Sequence, residues 1–147
     1  MVRNVTHIRP LCLHDFKCLR PRELEFTVDN VSKLLDSSHG NAHTFLVKGE
    51  PAAIVGASLL WPGVWQVWAF ISDRVRGHGV PLTKSCEIIL SESAKAFKVK
   101  RYNAIVDGTK QEYVRWLKLL KFQYEFTMYH ALPKGGDVYG YVRWEGK

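Results

Sequence analysis

The sequence predicts an α/β (α+β layered) domain: a mixed, mostly antiparallel sheet flanked by helices, in the order β-α-α-β-β-β-α-β-α-β-β. Three observations predict it. Residues 44–48, 52–60 and 64–71 are strand-like runs separated only by Gly49-Glu50-Pro51 and Trp61-Pro62-Gly63, the pattern of an antiparallel meander. Residues 82–97 then repeat at helical spacing, with Leu82, Cys86, Ile89, Leu90, Ser93 and Phe97 on one side. The run 102–106 follows that helix, so it is expected to lie parallel to 64–71 through a right-handed crossover.

Each element has a local reason. Residues 2–9 form a short strand with Val5 and Ile8 available to the core, and Pro10 ends it. Residues 11–19 suit a short helix with His14 or Asp15 near its start. Residues 22–35 form a clearer one, because Leu24, Val28, Val31 and Leu35 share one face. Residues 36–41, Asp-Ser-Ser-His-Gly-Asn, read as a loop. The run 64–71 is apolar on both faces apart from Gln66, which places it centrally in the sheet. Asp107-Gly108-Thr109 is a loop with Thr109 as the expected N-cap of a helix over 110–121. That helix buries Tyr113, Trp116, Leu117 and Leu120. Strands over 122–132 and 138–144, joined through Pro133-Lys134-Gly135-Gly136-Asp137, complete the chain.

The totals bound the class. A chain of 147 residues suits one domain, 1–147, with one core. Hydrophobic content of 46% and charged content of 24% fit a soluble globular protein rather than a disordered one. No apolar run reaches the roughly 20 residues of a membrane helix. Residues 1–9 contain no signal-peptide pattern. Three cysteines, Cys12, Cys18 and Cys86, do not make a disulfide framework, so a cytoplasmic setting is the expectation. The net charge of +7 favours an anionic partner without choosing among nucleotide, nucleic acid and acidic protein.

The stretch Arg74-Val75-Arg76-Gly77-His78-Gly79, followed by Val80 and Pro81, joins a strand to a helix. A helix start leaves backbone N–H groups unpaired and partially positive, which suits a phosphate. Gly77 and Gly79 permit a tight turn and close approach of a ligand. Pro81 suits the first helical turn. The plainer reading is a tight connection with Arg74 and Arg76 in solvent. His78 either meets a bound phosphate or is simply an exposed loop residue. Asp73 caps the turn or orients a substrate amine.

This arrangement resembles the GNAT (GCN5-related N-acetyltransferase) superfamily, whose pyrophosphate loop reads Gln/Arg-x-x-Gly-x-Gly/Ala. The resemblance implies that backbone N–H groups from Arg74 through Val75, Arg76, Gly77, His78 and Gly79 to Val80 hold the pyrophosphate of acetyl-coenzyme A. It implies an oxyanion donor near Phe70 or Ile71, and a pantetheine arm between the strand ending at Ile71 and the strand over 102–106. Residues 113–122 are similar to the superfamily's last helix and its exit. A narrower resemblance runs through Ile8-Arg9-Pro10, Leu19-Arg20-Pro21-Arg22-Glu23-Leu24-Glu25, Gly49-Glu50-Pro51-Ala52-Ala53-Ile54 and Arg115-Trp116-Leu117-Lys118. These stretches look like the GNAT-like proteins of tailed bacteriophages, labelled internal virion protein A or acetyltransferase.

The chain departs from the superfamily pattern at three places. The tyrosine that protonates the leaving thiolate in many members falls by register at Leu117, which has no proton to give. Tyr113 lies one turn earlier and Tyr124 just past the helix. The usual glycine at the helix exit is Lys121, and residues 64–71 contain no carboxylate to act as a base. Asp107, at the end of its strand, is the best candidate for a base or amine anchor. Catalytic candidates are therefore Asp107 and Tyr113. Neither Cys12, His14 and Cys18 nor His39 and His43 match a zinc spacing, so no metal is expected. Cys86 belongs to the apolar helix face.

Three functions follow. The first is a phage-type, acyl-CoA-dependent N-acyltransferase with acetyl-CoA as co-substrate. The acceptor is an unidentified amine on a protein, small molecule or nucleobase. The second is a non-catalytic GNAT-fold phage protein that meets virion or host proteins, in the host cytoplasm or the virion. The third is a basic nucleic-acid-binding module using Lys95, Lys98, Lys100 and Arg101 beside Tyr102. Tyr141 and Trp144 on the last strand serve a homodimer or, more simply, the core. No membrane partner is expected.

Overall fold

The computed structural model describes residues 6–19 and 28–145. The start of the first expected strand, the first part of the helix over 22–35 and most of the Leu19–Glu25 stretch lie outside the described residues. The elements are β1 (Thr6–Pro10), α1 (Asp15–Cys18), α2 (Val28–Ser38), β2 (Ala42–Val47), β3 (Glu50–Trp61), β4 (Val64–Ile71), a 3-10 turn (Asp73–Val75), α3 (Gly79–Ala96), β5 (Arg101–Asp107), α4 (Gln111–Leu119), β6 (Gln123–Met128) and β7 (Val138–Trp144). The sheet runs β1-β2-β3-β4-β5-β7-β6, so the doubly apolar β4 stands in the middle. β4 pairs with β5 in parallel, Val64 against Arg101 through Gln66 against Asn103, and the other resolved pairings are antiparallel. The mixed, mostly antiparallel α/β fold is the one expected.

The chain divides into two compact units. One comprises Met1–Leu59 and Val67–Cys86, the other Leu60–Gln66 and Glu87–Lys147. In the first unit, Phe16, Leu19, Ile54 and Phe70 form a buried cluster, with Leu11, Leu34, Leu35 and Trp68 packed against it. In the second, Trp65 meets Phe97 edge-on at 5.1 Å between centroids. The Tyr102 hydroxyl, fully buried, donates to the Leu90 carbonyl at 2.9 Å. Tyr102 is thus a core residue, not the surface aromatic expected beside the basic cluster.

Several boundaries differ from expectation. The helix over 11–19 shrinks to Asp15–Cys18, because Leu11 N–H is drawn to the Ala42 carbonyl and Cys12 N–H to the Asp15 carboxylate. α2 continues through Ser37 and Ser38, whose hydroxyls donate back to the Leu34 and Leu35 carbonyls. The turn after β2 is Lys48-Gly49, both at positive φ, so Glu50 and Pro51 join β3. The N-cap of α4 is Lys110, not Thr109, and no side chain caps it. α4 closes with Lys121 N–H on the Lys118 carbonyl and Phe122 N–H on the Leu117 carbonyl. The strand over 122–132 stops at Met128, and β7 inserts between it and β5.

Candidate functional site

The glycine loop lies in the first unit, between β4 and α3. Its base is fixed by Ser72, which is buried at the end of β4. Ser72 N–H donates to the Ala52 carbonyl at 3.0 Å, and its hydroxyl donates to the same oxygen at 2.6 Å. The hydroxyl also accepts the Arg74 N–H at 3.3 Å, capping the 3-10 turn. Sequence reasoning missed Ser72, although a serine two residues before Arg74 at a strand end is a local capping signal.

The loop then turns at Gly77, where φ is +79° and a Cβ would meet nothing within 4 Å. The left-handed conformation is what requires glycine there. Gly79 has ordinary backbone angles and is equally open, so no protein atom demands glycine at that position. The backbone bonds run from Val75 N–H to Ser72, from Arg76 to Asp73, from His78 to Val75 and from Leu82 to His78. Among the described residues, the N–H groups of Gly77, Gly79 and Val80 make no backbone bond. They stand at the positive end of α3, and open space lies beside both glycines. Such a cradle fits an anion.

The side chains around it divide into engaged and open ones. Arg74 turns away from the cradle. Its Nη1 donates to the Pro51 carbonyl at 2.9 Å and the Cys18 carbonyl at 3.1 Å, and its Nε lies 3.4 Å from Glu50. Arg74 therefore braces the loop. Arg76 is 80% exposed and lies 3.9 Å from Asp73, a loose surface pair that leaves the guanidinium movable. His78 and Val75 are half-buried, and Val80 is exposed. Phe70 is buried against Phe16 and Trp68, with centroids 5.9 and 5.7 Å away, while Ile71 is half-buried. The strand end that precedes the loop is thus seated in the core of its unit.

Asp107 and Tyr113 belong to the second unit. The Asp107 carboxylate accepts from the Thr109 hydroxyl at 2.6 Å and the Thr109 N–H at 2.8 Å. The Thr109 hydroxyl, aided by its N–H and by Lys110, holds this acid below its ordinary value against a smaller burial effect. That direction suits an anionic anchor better than a base. Tyr113 is half-buried in the first turn of α4, and Leu117 is buried. Among the described residues no three His, Cys, Asp or Glu side chains gather as a metal site, and no helix is long and apolar enough to cross a membrane.

The sequence matches no protein-family model and no curated protein. Solved structures do match. Ard1 from Thermoplasma volcanium superposes with a TM-score of 0.85 at 15% identity, covering 98% of this chain and 100% of that one. The fold is that of the GNAT acetyltransferases. A GNAT-family acetyltransferase from Bacillus anthracis matches with a TM-score of 0.72 at 11% identity, covering 96% of this chain and 95% of its own. The ribosomal-protein-S5-alanine acetyltransferase from Vibrio fischeri gives 0.75 at 13%, over 98% and 95%. RimL, a ribosomal L7/L12 α-N-protein acetyltransferase solved with coenzyme A, gives 0.67 at 18%, over 79% and 70%. This chain thus keeps the GNAT element order, with a glycine-bearing turn where α3 begins.

Proposed function

We propose that the protein is an acyl-CoA-dependent N-acyltransferase that transfers an acetyl group from acetyl-CoA to an amine. The observation that carries this reading is the trio of unengaged N–H groups at Gly77, Gly79 and Val80, beside glycines open to a ligand. They would hold the pyrophosphate, with Arg76 reaching it as a movable cation. Acetyl-CoA would supply an activated acyl carbon to a neutral amine. A backbone N–H near Phe70 or Ile71 would take the developing oxyanion charge. The acceptor's ammonium group would give its proton to water before the neutral amine attacks, and Asp107, whose ionised form Thr109 favours, is the candidate for holding that ammonium beforehand. Tyr113 is the one hydroxyl in the α4 sequence and its candidate proton donor. The phage-type assignment rests on the sequence stretches alone.

The second reading is a GNAT-fold protein without catalysis. The buried Leu117 at the proton-donor position favours it. Binding and turnover therefore need separate tests. Acetyl-CoA and free CoA at about 100 times their Kd should each raise stability by roughly 2.7 kcal/mol. The absence of any shift at millimolar ligand would sink the coenzyme reading. Gly79→Asp is the informative variant. It fits the open space and places an acid at a helix N-terminus, so the fold should keep its melting temperature while the ligand shift disappears. Turnover of acetyl-CoA with amine acceptors then separates the enzyme from the binder.

A further inference from the structure

The second unit carries a row of side chains that the glycine loop does not use. Val64 pairs with Arg101, and Arg101 pairs with Trp144. Trp61 ends β3 and Val64 begins the neighbouring β4, and the two-residue Pro62-Gly63 turn of such a hairpin sets them opposite each other. Directly paired residues project on the same side of a sheet. Trp61, Val64, Arg101 and Trp144 thus form one transverse row, about 14 Å long at roughly 4.8 Å per strand. Trp61 is 60% exposed and Trp144 is 53% exposed. Between them the Arg101 guanidinium lies over the Trp144 ring at 5.0 Å. It is held flat by Asn103 and by an ion pair with Glu125.

Cations edge this row. Lys98 and Lys100 are exposed in the loop before β5. The loop is locked to the tryptophan turn, because Lys100 and Arg101 N–H groups both donate to the Gly63 carbonyl, at 2.8 and 3.0 Å. The Lys100 stem runs so close to Gly63 that a Cβ there would sit 3.3 Å from Cδ. The acids at this end are already engaged, Glu125 with Arg101 and Glu145 with Arg143.

We propose that this face binds single-stranded nucleic acid, with Trp61 and Trp144 stacking bases and Lys98 and Lys100 meeting phosphates. Flat aromatic surface alternating with fixed cations matches a chain that alternates bases and phosphates. A second copy of the protein is the poorer occupant. A two-fold contact through this face would bring the same lysines together, on a chain already at +7. Compared with the sequence expectation, the stacking residues are the two tryptophans rather than the buried Tyr102.

The test is fluorescence anisotropy of the full chain with labelled oligo-dT and oligo-U. Saturable binding at about 50 mM salt is expected, weakening steeply by about 200 mM. Trp61→Ala and Trp144→Ala should each lower affinity at least fivefold at fixed salt. Trp61→Leu and Trp144→Leu, which keep apolar area but lose the flat ring, should do the same if an alanine variant fails to fold. Lys98→Gln with Lys100→Gln should reduce the salt slope. Gly79→Asp should leave oligonucleotide binding intact, which keeps this proposal separable from the coenzyme reading. No binding at the lower salt, binding indifferent to both tryptophans, or equal affinity for duplex DNA or an acidic peptide would each overturn it.

Discussion

Asp15 is 2% exposed, yet its carboxylate accepts four hydrogen bonds: two from Arg9 at 2.8 and 2.7 Å, one from Cys12 N–H at 3.0 Å and one from the Thr44 hydroxyl at 2.6 Å. A buried charge is tolerable only when saturated in this way, and Arg9 supplies the two-pronged geometry. Truncation would strand Arg9 and Thr44 together, so Asp15→Ala should cost about 2–4 kcal/mol. Thermal denaturation should then show a fall of roughly 5–15 °C. A loss under about 1 kcal/mol would mean that the cluster contributes no more than an ordinary surface pair. From the sequence, Asp15 is legible only as a residue near a short helix. Its side-chain partners Arg9 and Thr44 are on β1 and β2, and Thr44 is 29 positions away in sequence. Pairing at that separation has no local signature. Ser72 differs, since its cap lies within two residues and its signal was local.

Helices and strands were legible where apolar period decides them and illegible where backbone angles do. β4 and β7 have the expected bounds because turn residues flank each apolar run. The ends of other elements fall at His39, Lys48, Lys98, Lys121 and His130, five non-glycine residues at positive φ. Lysine does not announce a left-handed turn, and histidine does so only weakly. Lys121 is the instructive one. It occupies the C′ position of α4 with φ 67°, where glycine is the usual solution. Lys121→Gly should therefore stabilise the protein by roughly 0.5–1 kcal/mol. The opposing loss is small, since the pair with Glu87 spans 3.4 Å on a side chain that is 74% exposed. A chemical-denaturation midpoint that falls would show that the ion pair matters more than the strain. Gly77→Ala is the mirror case. Only its φ of +79° opposes the methyl group, so it should lose about 1 kcal/mol. Gly79→Ala should lose nothing.

At the scale of the whole molecule, element order was legible while strand order was not: β7 sits between β5 and β6, and this is set by its seven pairings with β5. The candidate coenzyme loop was legible as a motif, whereas the role of Arg74 was not, because its partners belong to β3 and α1. The buried ionisable groups scattered over the chain together shape its pH profile, and each sign can be worked out. Burial holds His43 below its ordinary value, and its Nδ1 has no hydrogen-bond partner among the described residues. The unfolded chain therefore takes up that proton first, and stability falls as pH drops below about 6.5. Burial alone would raise Asp15, but Arg9, Thr44 and the Cys12 N–H outweigh it and hold the acid well below the usual range. Its contribution is complete above about pH 4 and is lost as pH falls toward the folded value. Burial pushes the Cys86 thiol up to about 12 and raises Tyr102 as well. Both ionise first in the unfolded chain, so their contribution is intact below about pH 8.5 and fades as pH rises. Unfolding free energy measured from pH 3 to 11 should thus show a plateau near neutrality with decline on both sides. His43→Gln should remove the slope just below pH 6.5 and leave the steeper acid limb of Asp15 in place. If the slope near pH 6 survives in His43→Gln, another histidine carries it, and His43 is solvated rather than enclosed.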